Sequence, residues 1–172
     1  MRERKENRER RGLQRSLSLI SLISLVSLVS FLSLFSMKLL TFQAKRFWWR
    51  SFSKTLDEVE DVQVEQEVLD AVVAFYQIEA ADVDNRSSVF RQTLKHLKWL
   101  ANKRDLRRIV LHSFTHLGGE NAPPDFALEL TEELAARLRA TGYEVWITPF
   151  GYFNEWNLSV YGESLAKVWK QI

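Results

Sequence analysis

Between residues 71 and 148 the apolar spacing of the chain changes from strand-like to helical and back, twice, and this alternation restricts the fold more than any other feature. Residues 71–78 read Ala-Val-Val-Ala-Phe-Tyr-Gln-Ile, dense in β-formers and bounded by acids, which predicts a central strand. Phe90, Leu94, Leu97 and Leu100 recur at helical spacing and predict a helix over 88–103, capped from Asn85, Ser87 or Ser88. Ile109, Val110 and Leu111 open a second buried strand over 108–114. Pro124 or Asp125 starts a helix that reaches about 141, with Gly142 just past its end. A strand over 143–148, a turn at 149–152, a strand over 156–161 and a terminal helix over 163–172 follow. Strand-helix-strand-helix-strand requires crossover connections, so the fold class is α/β with helices packed on the sheet. Residues 39–42 and 47–49 read as a first strand and its hairpin partner, which makes the sheet mixed.

The chain has 172 residues and no cysteine, which excludes a disulfide scaffold or a zinc–thiolate site. Its net charge of +2 conceals a segregation. Residues 1–15 hold seven Arg/Lys and three Glu, so the remaining residues, with 17 bases and 19 acids, carry −2. Residues 57–84 contain ten acids and no base, whereas 86–108 contain eight bases against Asp105 alone. Such runs are either solvated faces or a cationic surface beside an anionic one. Residues 16–36 are uncharged, and serine recurs there at every third position over most of the stretch. Three residues advance a helix by about 300°, so these serines form no stripe. The segment 1–36 reads as a separate extension, either a mis-assigned start or a membrane anchor. The domain proper is then 37–172.

Two loops stand at the carboxyl ends of expected strands, where ligand crevices form in α/β sheets. One holds Thr115, His116, Leu117, Gly118, Gly119 and Glu120; the other holds Phe150, Gly151, Tyr152, Phe153 and Asn154. If their strands are neighbours, both loops meet over one pocket. His116 either fixes its loop by a hydrogen bond or binds a carbonyl, a sugar hydroxyl or a water, since neutral imidazole both donates and accepts. Gly118 and Gly119 can present backbone N–H groups, Glu120 can bind loop amides or cap the next helix, and Tyr152 or Phe153 can wall the pocket. His112 and His116 are four apart but on a strand and a loop, so no metal site is expected. The Walker loop, G-x-G-x-x-G, G-x-S-x-G and H-E-x-x-H patterns are absent. No cofactor is expected.

Phe114-Thr115-His116-Leu117, Glu120-Asn121-Ala122-Pro123, Thr141-Gly142-Tyr143, Pro149-Phe150-Gly151-Tyr152 and Leu165-Ala166, in this order, resemble the archaeal threonyl-tRNA synthetase editing domain across 37–172. The resemblance implies a D-aminoacyl-tRNA deacylase-like fold, a homodimer and a cytoplasmic, free-standing enzyme that hydrolyses L-seryl-tRNA(Thr). In that family water attacks the ester, with help from backbone groups and the substrate's ribose hydroxyl. It implies that His116 and the position of Asn154 are catalytic and that Thr115, Phe150, Gly151, Tyr152 and Phe153 bind substrate. Two departures stand out: Phe153-Asn154 where the family has Tyr-Lys, and Lys167 where Glu is common, which suggests a linked charge change at one site. Arg91, Lys95 and Lys98 are the expected RNA contacts, and tRNA(Thr) and a separate threonyl-tRNA synthetase the expected partners. A D-aminoacyl-tRNA deacylase and a non-catalytic tRNA- or synthetase-binding protein are the alternatives.

Overall fold

A computed structural model describes residues 37–172; the readings of 1–36 as an extension or anchor lie outside the described residues. The sheet is organised around one long strand, β1 (Lys38–Lys54). On one edge it pairs antiparallel with β2 (Glu65–Gln77). The other edge is shared: β6 (Lys167–Gln171) pairs with the first part of β1, from Lys38 to Phe42, and β5 (Tyr152–Val160) pairs with the rest, from Ala44 to Lys54. Beyond β2 lie β3 (Arg108–Ser113) and β4 (Glu144–Ile147), both parallel. Helix α1 (Arg86–Asn102) links β2 to β3, and α2 (Pro124–Arg139) links β3 to β4. The expected mixed α/β sheet is thus present, in the order β4-β3-β2-β1-β5 with β6 also on β1.

Two expectations are corrected. Residues 39–42 and 47–49 are not a strand and its hairpin partner but parts of the same strand. A β-bulge between Ala44 and Arg46 separates them, matched across the ladder by Asp70 at φ 49°. A bulge adds one residue and flips which side chains face each side. Leu39 therefore joins the helix-side core, while Phe47 and Trp49 join the opposite face with Phe75 and Val110. That flip is why the pattern reads as two elements.

The second correction concerns residues 163–172, which form no helix. A 3-10 turn at Ser164–Ala166 leads into β6. Without β6, the backbone groups of β1 from Lys38 to Phe42 would lack a partner on that edge, a cost a strand removes and a helix does not. Val168 and Ile172, alternating with exposed Trp169, pack on the helix-side core, which is strand periodicity.

Both helices cover the same sheet face. Leu97, Leu100 and Ala101 from α1 and Leu130, Leu134 and Leu138 from α2 pack against Val72, Ala74, Ile109 and Leu111. Buried polar groups in this layer are partnered: Gln43 Nε2 donates to the Leu100 carbonyl at 2.9 Å, and His96 Nε2 lies 3.1 Å from Thr41 Oγ1. Among the described residues no helix is long and apolar enough to cross a membrane.

Burial lowers the pKa of His96, with help from the Lys170 charge, and that of His112, in each case to about 4. Both rings are neutral when folded, whereas an unfolded histidine titrates near about 6.5. Between these values the unfolded chain binds more protons, so stability is full above about pH 6.5 and falls as the pH drops toward 4. Melting temperatures measured from pH 7 to 4 are expected to show this decline, and His96→Gln to flatten part of it.

Candidate active site

A cavity of ≈ 480 Å³ opens at the carboxyl ends of β2, β3 and β4, within the range of about 300–1,000 Å³ usual for small-molecule sites. Three segments enclose it: the loop after β3, the turn after β4 that leads into β5, and the start of the loop joining β1 to β2. Thr115, His116, Phe150, Gly151, Tyr152, Phe153 and Asn154 all line it, so the structure brings the two loops singled out in the sequence to one space. Among the described residues, no Asp, Glu, Lys or Arg side chain is in the lining.

The first loop is shaped by Gln77, the last residue of β2, whose side chain is buried within it. Its Oε1 accepts the backbone N–H of Leu117 and of Gly118, each at 2.7 Å. Its Nε2 donates to the Gly119 carbonyl at 2.9 Å and to Asn121 Oδ1 at 2.8 Å. Glu79, paired with Lys38, accepts the Gly119 N–H through Oε1 at 2.7 Å. The amides of Gly118 and Gly119 are therefore turned onto protein side chains rather than offered to a ligand, which corrects that expectation. Glu120 neither binds loop amides nor caps α2 through its side chain; its carbonyl oxygen accepts the Ala80 N–H at 3.0 Å. A Cβ at Gly118 would meet only the flexible end of the Lys38 side chain, which would have to shift.

Gly151 has φ +74°, and a Cβ would lie 2.9 Å from Val59 Cγ1, so its conformation and its neighbour both demand glycine. Its carbonyl accepts the Thr55 N–H at 2.7 Å. Tyr152 then straps the β1–β2 loop: its hydroxyl donates to the Glu60 carbonyl at 2.8 Å and accepts the Val62 N–H at 3.0 Å. Asn154 braces the turn through Nδ2, which donates to the carbonyls of Tyr152 at 3.1 Å and Pro149 at 3.4 Å. Its Oδ1 is buried without a partner among the described residues.

His116 is exposed, meets Phe114 edge-on at 5.5 Å between centroids, and makes no hydrogen bond to the described residues. It is thus free to bind a ligand rather than fix its loop. Thr115 is exposed beside it, and Phe153 is 59% exposed at the rim. Arg91, Lys95 and Lys98 lie on α1, outside the lining. Lys167 is also outside it: it opens β6 opposite Phe42, whereas Asn154 stands opposite Ser51. Those partners are far apart along β1, so the described chain does not join Asn154 and Lys167 at one site.

Lining or loop-shaping residues not anticipated from the sequence include Tyr76, Gln77, His112 and Ser113. The Tyr76 hydroxyl is 2.7 Å from Thr131 Oγ1, and burial raises its pKa, keeping the phenol protonated. His112 is 4% exposed, packs edge-on against Phe75 at 4.6 Å and holds Thr148 Oγ1 at 2.9 Å through Nδ1. The signal for His112 was available, since strand alternation sets it on the same face as Val110 and Phe114. Among the described residues no three His, Cys, Asp or Glu side chains converge on a metal position.

The profile of a family described as the archaea-specific editing domain of threonyl-tRNA synthetase matches residues 37–172. Among curated relatives, the threonine–tRNA ligase of Thermococcus kodakarensis is 33% identical over 139 residues, covering 79% of this chain and 22% of that protein. The ligase of Methanopyrus kandleri is 30% identical over 133 residues, covering 77% of this chain and 21% of that protein. The chain therefore spans only about a fifth of the length of these relatives. A solved structure named c-Myc DNA Unwinding Element Binding Protein superimposes with a TM-score of 0.53 at 14% identity, covering 78% of this chain and 98% of that one. At that identity the likeness speaks for the fold alone, which is the D-aminoacyl-tRNA deacylase-like fold expected from the sequence. Over residues 37–172, the chain belongs to the archaea-specific threonyl-tRNA synthetase editing-domain family.

Proposed function

We propose that the cavity takes the aminoacylated 3′ end of tRNA(Thr) and hydrolyses the ester when the amino acid is L-serine. The observation that supports this best is the convergence of the 114–122 loop and the 149–154 turn on one cavity of ≈ 480 Å³ in a chain of the editing family. The chemical need is general. A synthetase pocket for threonine gains only about 1–3 kcal/mol over serine from one methyl group, so a second sieve is required.

The lining favours water as nucleophile. It lacks cysteine, and the hydroxyl held by a histidine here, that of Thr148, is buried behind His112 and outside the lining. With no charged side chain present, the groups left to orient ester and water are backbone amides and carbonyls, the neutral side chains and the ribose hydroxyl of the substrate. His116 is exposed and unengaged at the mouth, suited to holding the substrate. Asn154, with its amide committed to the turn, supports positioning rather than proton transfer.

Arg91, Lys95 and Lys98, together with Lys103 and Lys170, take part in no ion pair among the described residues, and Lys103 stands over the 41% exposed Trp99. A helix free of acids with an exposed indole suits a phosphate backbone. On this reading the protein acts in trans in the cytoplasm, as a homodimer, beside a separate threonyl-tRNA synthetase. The second reading, a non-catalytic tRNA- or synthetase-binding protein, is motivated by Asn154, which supplies no charge to the cavity.

Incubating the full chain with L-seryl-tRNA(Thr), L-threonyl-tRNA(Thr) and a D-aminoacyl-tRNA in parallel tests the assignment. Loss of serine alone is expected. Preferential loss of the D-amino acid would transfer the assignment to D-aminoacyl-tRNA deacylation, and binding without turnover to the non-catalytic reading. His116→Ala should lower kcat/KM about tenfold, the size of one hydrogen bond to substrate. Replacing Arg91, Lys95 and Lys98 together by Ala should weaken tRNA binding and reduce its salt dependence, by a log–log slope of roughly 0.7–0.9 for each phosphate no longer neutralised, with little change in kcat.

A further inference from the structure

Resting on the reading just proposed, we propose that His112 is the specificity residue of the cavity: its Nε2 hydrogen-bonds the side-chain hydroxyl of a small L-hydroxyamino-acyl ester. His112 sits on β3, two residues before the loop that holds Phe114, Thr115 and His116, and lines the cavity. Nδ1 is held by Thr148, itself only 2% exposed and tied back to β3 through its N–H, which donates to the Leu111 carbonyl at 3.0 Å. The ring is thus fixed by the residue that follows the neighbouring strand β4 and is bonded back to β3.

Nε2 has no hydrogen-bond partner among the described residues, and yet it is not one of the sealed, unpartnered polar atoms, which are Trp49 Nε1, Asn154 Oδ1 and Gln171 Nε2. It stays accessible, and the space that His112 lines is the cavity. A buried ring nitrogen left open toward a cavity is a polar group in want of a ligand.

The surroundings select the ligand's chemistry. Rings of Phe75 at 4.6 Å, Phe47 at 6.1 Å and Phe114 at 6.3 Å flank the imidazole. An ammonium group would lose its hydration there against a single acceptor, whereas a hydroxyl needs only one partner. The Thr148 hydroxyl can donate to Nδ1 or accept from it, so Nε2 can face the cavity as donor or acceptor, and a substrate hydroxyl suits both. The same burial that keeps the ring neutral, with a pKa of about 4, makes it a poor proton acceptor near pH 7, which argues for recognition rather than general-base work. A site that hydrogen-bonds a substrate hydroxyl rejects the analogue lacking it, because the buried partner is then left unpaired.

The test compares seryl-tRNA(Thr) with the same tRNA charged with alanine, which lacks the hydroxyl, in the full chain and in His112→Phe and His112→Gln. The parent should favour serine in kcat/KM. His112→Phe keeps ring volume and should cut the seryl rate about tenfold while leaving the alanyl rate unchanged, and His112→Gln, which keeps a polar end, should restore part of the preference. A merely structural role would lower both substrates together. An unchanged ratio in folded His112→Phe, with turnover intact, overturns the assignment and leaves the deacylase reading standing. The affinity ratio for non-hydrolysable amide-linked seryl- and alanyl-adenosine, measured by calorimetry, reads the same contact without turnover. Lost discrimination by His112→Phe in that assay supports His112 even if no ester is cleaved, and no binding of either analogue by the parent overturns it.

Discussion

A seventeen-residue strand exposes backbone donors and acceptors on two edges, and satisfying both is the constraint from which the rest of this fold follows. One edge of β1 is answered by β2 along most of its length. No single partner covers the other, so β6 and β5 divide it on either side of the bulge at Lys45. By alternation β1 serves two apolar layers, Leu39 under the helices and Phe42 and Ala44 opposite, and the bulge turns the odd-numbered Phe47 and Trp49 onto that opposite layer too. A regular strand would have turned Phe47 and Trp49 toward the helix side and left the opposite layer without them.

The site inherits its geometry from this arrangement. Because β2, β3 and β4 run parallel, their carboxyl ends and the loops leaving them gather on one side; the antiparallel β1–β2 connection enters β2 at its amino end, yet its first residues, Thr55 and Leu56, reach the cavity. Each loop is fixed by a residue at or beside a strand end. Gln77 uses both ends of its amide to hold the loop of His116, and Tyr152 uses its hydroxyl as donor and acceptor to hold the 55–64 loop against the other turn. These are strand residues positioning loop residues, and His116 is left without a hydrogen-bond partner among the described residues.

How much of this was legible follows from range. The helices and the parallel strands could be read because their periodicity is local, and so could the two loops, marked by Gly118, Gly119 and Gly151. Residues 45–47 misled because a bulge is invisible to a period-two pattern; the break at Lys45-Arg46 reads as well as the end of a strand. Residues 167–172 misled because their strand exists only through a partner more than a hundred positions earlier. Gln77 is the one amide side chain in the run 71–78, a signal that could have been questioned, and the spacing of His112 from His116 raises only the question of a metal. Glu79 does at Gly119 what was expected of Glu120, a difference decided by which carboxylate the β2 end delivers to the loop.

The acidic stretch of the chain supplies the strap loop beside the cavity, the basic stretch supplies α1, and the cavity lining itself holds neither sign. On the proposed reading the substrate brings the formal charges: phosphates for the basic helix, and an α-ammonium group for a neutral cavity. In such a cavity the attraction between that ammonium and the oxyanion forming on the adjacent ester carbon grows as water is excluded, while a fixed lysine beside the carbonyl would compete with it for the same space. A chain with Asn154 in the turn can therefore still favour ester hydrolysis through placement and low polarity alone. In that setting the side chain proposed to tell a hydroxymethyl group from a methyl group is a neutral one, His112, the lining imidazole held by a hydrogen bond from its own fold.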